Sequence, residues 1–178
     1  MAQKLVIVES PGKIKTIQKY LGPGYKVKAS IGHCYQIEPK DGAIDIENNY
    51  KPKYVPAPKK ASVIKELIAE AKKSEIIYIA SDPDREGEAI GWHIAHLAIK
   101  DQSKIKRIVF NEITKSAVQA AIKNPTILDE NLYHAQQARS VLDMLVGYKV
   151  SPVLWRKVCK GTSAGRVQSI GLKLIVER

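Results

Sequence analysis

Cysteine is nearly absent: the 178 residues hold only Cys34 and Cys159, far apart and in no metal-ligand spacing. That argues against a disulfide framework and a zinc site, and fits a reducing compartment. Long apolar runs are missing too, since no stretch approaches the roughly 20 residues a membrane-spanning helix needs. The opening MAQKLVIVES lacks the apolar core and small-residue cleavage site of a secretory leader. A cytoplasmic location is expected. There is no internal repeat and no low-complexity tract. Acids are scarce, 18 Asp and Glu against 29 Lys and Arg, so the place where they crowd is informative.

What is present is an ordinary globular composition, 44% hydrophobic and 26% charged, with a formal net charge of +11. The length allows one good-sized core, or a domain plus part of another. Chains this basic usually meet a polyanion, most commonly nucleic acid; the alternative is a solubilising surface with no partner. The charge is unevenly placed. Lys149, Arg156, Lys157, Lys160, Arg166, Lys173 and Arg178 stand against a lone Glu177, a segment suited to following a phosphate backbone.

KLVIVE (4–9) is a short β-branched run that predicts a buried parallel strand. Ser10-Pro11-Gly12-Lys13 predicts a helix entry with Ser10 as N-cap and Pro11 at the first helical position. That helix is expected to reach Leu21 and stop at Gly22-Pro23-Gly24. YKVKAS (25–30) reads as a second strand, 36–61 as an irregular insertion, 61–73 as a helix, EIIYIAS (75–81) as a strand and 86–99 as a helix. KRIVF (106–110) reads as a further strand, with a helix over 114–123. Strands alternating with helices predict an α/β fold with a mainly parallel sheet. Beyond Ile127 the pattern turns helical, with ENLYHAQQARSVLDMLVGYKV as one helix and SPVLWRKV as a separate short one. The expected domains are 1–125 and a helical segment over 126–178. The last helix is still in mid-pattern at Arg178, which suggests a truncated chain.

The acids crowd into SDPDREGEA (81–89), directly after a predicted strand. In parallel α/β sheets, ligands gather outside the carboxyl ends of the strands. Glu9 closes the first strand, so neighbouring strands would bring Glu9, Asp82 and Asp84 to one rim. Several ionised carboxylates at close range need a counter-charge. Mg²⁺ suits them, because it takes oxygen ligands, keeps waters and is completed by substrate phosphate. Arg85 could hold that phosphate. The alternative is an acidic turn capping a helix, with Glu86 and Glu88 favoured by the helix dipole. Ser10-Pro11-Gly12-Lys13 offers free N–H groups and a lysine to an anion, although it lacks a full glycine-rich phosphate loop.

Six segments then occur in order: VIVESPGKIKTI (6–17), ASIGH (29–33), SDPDREGEAIGWHI (81–94), RIVFNEIT (107–114), AQQARSVLDMLVGY (135–148) and SAGRVQS (163–169). Together they closely resemble the N-terminal part of a type IA DNA topoisomerase of the bacterial kind. The first 125 or so residues resemble its Rossmann-like TOPRIM domain, and the rest resembles the start of its helical DNA-binding domain. The resemblance implies that Glu9, Asp82, Asp84 and Glu86 form an acidic Mg²⁺ site. It implies that Lys13 contacts the scissile phosphate or assists proton transfer, and that His33 lies on the bound strand. Arg139, Ser140, Asp143, Tyr148 and Trp155 map onto the family's single-strand groove. Arg139 and Asp143 are one turn apart and could pair, while Tyr148 and Trp155 could stack on bases or serve the core. In Ser163-Ala164-Gly165-Arg166-Val167-Gln168, Ser163 can cap the next helix and leave Gly165, Arg166 and Gln168 near a phosphate.

Departures are visible as well. Many bacterial members carry arginine at the positions of Ser140 and Met144, and Cys34-Tyr35-Gln36 replaces the usual residues after His33. The family's nucleophilic tyrosine sits in a motif containing Arg-Thr-Asp-Ser, and none of the eight tyrosines here has that setting. The resemblance therefore implies a Mg²⁺-dependent, ATP-independent enzyme relaxing negatively supercoiled DNA through a 5′-phosphotyrosyl link, with this chain providing the metal and DNA part as a monomer. Two other readings stay open: a metal-dependent nuclease or primase-like TOPRIM enzyme, and a non-catalytic DNA-binding module.

Overall fold

A computed structural model describes residues 3–99 and 101–178. The chain divides into two compact units, Met1–Gln36 with Val55–Gln136, and Ile37–Tyr54 with Gln137–Arg178.

The first unit is built on a four-stranded parallel sheet in the order β2-β1-β7-β8. Its strands are β1 (Gln3–Val8), β2 (Tyr25–Ala29), β7 (Ser74–Ala80) and β8 (Ile105–Arg107). Leu5 to Val8 are all buried, which is why β1 reads as a continuous apolar run and occupies the centre. Alternate residues serve opposite layers. Leu5, Ile7 and Ile77 meet Ile64 and Leu67 of α2 (Ala61–Lys73) and Ile90 of α3 (Arg85–His93). Val6, Val8 and Tyr78 meet Ile17 of α1 (Ile14–Leu21) and Val118 of α4 (Lys115–Lys123). Helices thus cover both faces of the sheet, the α/β class the sequence predicts.

Local chemistry sets the ends. Ser10 caps a 3-10 turn over Pro11–Lys13, accepting from the Gly12 N–H at 3.4 Å, and α1 follows. Thr114 accepts from the Ala117 N–H at 3.3 Å to start α4. The helix expected over 86–99 is α3 running into a π-helical turn at Ile94–Ala98. The strand expected over 106–110 is short, because beyond Arg107 only the Ile108 N–H still reaches the Ile79 carbonyl, at 2.9 Å.

The segment expected to be irregular over 36–61 instead forms short strands: β3 (Tyr35–Ile37) with β6 (Tyr54–Pro56), and β4 (Ile44–Asp45) with β5 (Lys51–Pro52). Their pairs are too brief to leave a period in the sequence. The helical stretch expected as two pieces is one helix, α5 (Glu130–Lys157), running through Pro152. In the second unit, Ser151 is buried and its hydroxyl accepts from the Ala164 N–H at 3.0 Å, holding the turn before α6 (Arg166–Val176). Ser163 does not cap α6. Gly165 takes the cap position without a side-chain bond, and its N–H reaches forward to the Ser169 hydroxyl at 3.4 Å. Among the described residues, no helix is long and apolar enough to cross a membrane.

Candidate functional site

β1 and β7 are parallel neighbours with Val8 opposite Ala80, so both leave the sheet at the same edge. Glu9 follows one strand, and Ser81 and Asp82 follow the other. β2 lies on the far side of β1 with Ala29 opposite Val8. Its outgoing loop hangs on the same edge: the Ser30 N–H donates to the Val8 carbonyl at 2.9 Å, and the Gly32 N–H to the Glu9 carbonyl at 3.2 Å. Three separate stretches, ending in Glu9, His33 and the acidic loop, therefore meet at one rim.

Asp82, Asp84 and Glu86 each have a distinct side-chain partner there. The Lys13 ammonium donates to Asp82. Asp84 is the N-cap of α3, accepting from the Gly87 N–H at 2.7 Å. Glu86 meets His33 Nε2 at 2.7 Å through one oxygen and Gln136 Nε2 at 3.3 Å through the other. Arg85 and Asp84 are exposed. A β-carbon on Gly87 would lie 2.2 Å from the Asp82 carbonyl oxygen, so only glycine lets the helix start approach the acidic loop this closely.

The donor chemistry fits a hard divalent cation: all-oxygen carboxylates on adjoining strand ends, with a lysine already supplying positive charge at Asp82. The side chains of Asp82, Asp84 and Glu86 are nonetheless directed to protein partners. Among the described residues, no three His, Cys, Asp or Glu side chains are gathered closely enough to hold a metal ion. A cleft of about 310 Å³ adjoins this rim, lined by Lys13, Asp82, Pro83, Asn111 and Glu112 with Phe110 and Ile113. It offers room for an anionic group beside the lysine.

Behind the loop sits a buried ion pair that sequence reasoning missed. Glu88, which the alternative reading put on an acidic turn capping a helix, is 4% exposed, and Arg107 is 1% exposed. Arg107 Nε donates to Glu88 Oε2 at 2.9 Å. Its Nη1 donates to the carbonyls of Ser81 and Ile108, both at 2.8 Å, and its Nη2 to that of Asp82 at 3.0 Å. A charge so deep is tolerated because its donors are satisfied. The available signal was an arginine directly before the apolar run Ile108-Val109-Phe110. His93 is also buried, and burial together with the nearby His33 and His96 pushes its pKa down to about 4.

In the second unit, Asp143 accepts from Arg166 Nε at 2.8 Å and lies 3.8 Å from Arg139 Nε. The hydrogen bond and charge of Arg166, aided by Arg139, hold the Asp143 carboxyl below its usual range. Trp155 is 49% exposed, and its indole N–H donates to the Thr162 carbonyl. Tyr148 is 36% exposed and lines a small crevice with Met144 and Lys149. Ser140 is half-buried, Ala164 is buried, and Ser163, Val167 and Gln168 are exposed. Two arginines, a carboxylate and two partly open aromatics thus share this unit.

Two families match the chain in order. The Toprim domain family matches residues 4–113, and the DNA topoisomerase family matches residues 127–178. Among solved structures, the chain is similar to full-length topoisomerase I from Thermotoga maritima, with 45% identity and a TM-score of 0.86. The match covers 98% of this chain and 30% of that one.

Proposed function

The chain belongs to the type IA DNA topoisomerase family, and from that premise we propose that it forms the metal- and DNA-handling part of an enzyme that relaxes negatively supercoiled DNA. Residues 1–125 act as the metal-binding TOPRIM domain, and 126–178 as the start of the DNA-binding helical segment. In the complete reaction, a tyrosine oxygen attacks a backbone phosphorus of single-stranded DNA. The bond to the 3′-oxygen breaks, that oxygen takes up the phenolic proton, and a 5′-phosphotyrosyl link remains. Another strand passes through the gap. Attack by the 3′-hydroxyl then reverses the step, and no ATP is required because the phosphoester energy is kept.

Glu9, Asp82, Asp84 and Glu86 would hold Mg²⁺ in this reading, and the cation would supply charge neutralisation for the scissile phosphate. Lys13 lies against Asp82 and lines the adjoining cleft, so it is placed to contact the scissile phosphate or carry the proton to the leaving oxygen. Arg85 holds a flanking phosphate, and His33 orients Glu86 while facing the bound strand. In the second unit, Arg139, Ser140, Tyr148, Trp155 and residues 163–168 grip and stack the single strand, and Asp143 pairs with the two arginines at that groove. The protein works as a cytoplasmic, nucleoid-associated monomer.

The observation carrying this reading is the parallel β1–β7 pairing that delivers Glu9 and Asp82 to one edge, with Lys13 on the carboxylate. No tyrosine in these residues stands beside Arg-Thr-Asp-Ser. The purified 178 residues are therefore expected to bind Mg²⁺ and single-stranded DNA but to leave supercoiled plasmid unrelaxed. Relaxation would refute the missing-nucleophile argument, and Mg²⁺-dependent nicking without a covalent link would favour a nuclease.

A further inference from the structure

Glu88 faces two ways. Its Oε2 accepts from Arg107, whose other nitrogens hold the Ser81 and Asp82 carbonyls. Its Oε1 accepts from the Asp129 N–H at 2.7 Å. Asp129 caps α5, accepting from the N–H groups of Asn131 at 2.9 Å and Leu132 at 3.1 Å. One buried carboxylate therefore joins the backbone of the acidic loop to the cap of the long helix.

The surroundings reinforce that joint. Trp92 of α3 stacks on Tyr133 of α5 with ring centroids 4.7 Å apart, and Gln136 reaches Glu86. The first turns of α5 are thus fastened to the helix that begins in the acidic loop. Glu88 is not a cation ligand here, because it is 4% exposed, whereas Glu86 on the same helix is open to solvent.

We propose that Glu88 is a positioning residue that couples the acidic loop to the start of α5, so that a divalent cation held by the loop tightens the first turns of that helix. The inference rests on the Mg²⁺ reading of the rim given above. A cation on the loop carboxylates restrains the 81–84 backbone. That fixes Arg107 through its carbonyl contacts, and Arg107 fixes Glu88 against the Asp129 N–H. The link is reciprocal: anything that orders the first turns of α5, such as a bound strand, raises cation affinity at the loop by the same factor.

Amide hydrogen exchange of the whole 178-residue chain, with and without Mg²⁺, tests this. In the wild type, Mg²⁺ is expected to slow exchange over 129–136 by about fivefold or more. In Glu88→Gln that response disappears, while Mg²⁺ still binds and still slows exchange over 81–87. A Glu88 that merely supported the fold would lower the melting temperature and leave the 129–136 response in place, which would overturn the proposal. A wild type that binds Mg²⁺ with no change over 129–136 overturns it as well, whether or not the variant folds. Failure of the wild type to bind Mg²⁺ by calorimetry would instead reject the underlying metal reading, and the coupling with it.

Discussion

The two units use charge in opposite ways. In the sheet-based unit, Arg107 and Glu88 are almost fully buried and their hydrogen bonds hold backbone in place. In the helical unit, Arg139, Asp143 and Arg166 keep about two-fifths of their side-chain surface open to solvent. Apolar residues differ likewise. β1 and β7 bury nearly every aliphatic side chain, whereas Val167, Ile170, Leu172 and Leu174 of α6 are more than half exposed. A buried pair sets shape, and an exposed pair stays available to a polyanion. The same residue types are thus structural in one place and ready for a ligand in the other.

The sharpest way to break this comparison is Arg107→Ala. It strands a buried carboxylate and leaves two loop carbonyls without a donor, so a loss of about 3–5 kcal/mol is expected in urea unfolding. Acid gives the next effect. The folded-state pKa of His93 lies near 4, below its ordinary 6.5. The unfolded chain therefore takes up the proton first, and stability falls as pH drops from 6.5 towards 4, by about 3 kcal/mol in all. Asp143, held below 3.8, adds stability that is lost only at still lower pH. Thermal melts across pH 3–8, with probes in each unit, should show the sheet-based unit weakening at the higher pH.

Gly87→Ala comes third. The added methyl would overlap the Asp82 carbonyl and push the acidic loop outward, at a cost of about 1–3 kcal/mol and with weaker Mg²⁺ binding by calorimetry. The smallest effect is expected from Asp143→Asn. Stability should change by less than about 1 kcal/mol, because the ion pairs it removes are exposed. Single-strand affinity at low salt should rise, and its salt dependence steepen, because Arg139 and Arg166 lose their internal counter-ion. Fluorescence anisotropy with a labelled oligonucleotide measures both.

Much of the fold was legible in the sequence because the determinants were local. LVIV (5–8) and IIYIA (76–80) are unbroken apolar runs, and Ser10, Thr114 and Gly22 mark helix ends by their own chemistry. The α/β class followed from alternation alone. Non-local determinants were hidden. The two-residue strands β4 and β5 exist only by pairing with each other, and the continuity of α5 through Pro152 depends on tertiary context overriding propensity. At the site, the strand ends could be read, but the partners of the acids could not. SDPDREGEA allowed an acidic turn capping a helix, as Asp84 does, but nothing in it reveals that Glu86 turns to His33 or that Glu88 points inward to Arg107.

The central claim is that side-chain oxygens at one sheet edge hold a divalent cation for phosphate chemistry. Calorimetric titration of Mg²⁺ into the 178-residue chain and into its Asp82→Asn/Asp84→Asn variant tests it most directly, since asparagine keeps the helix cap while removing charge. The account predicts saturable binding by the wild type and a loss of about tenfold or more in affinity for the variant. Equal affinity in the two proteins, or no binding by the wild type, would contradict it.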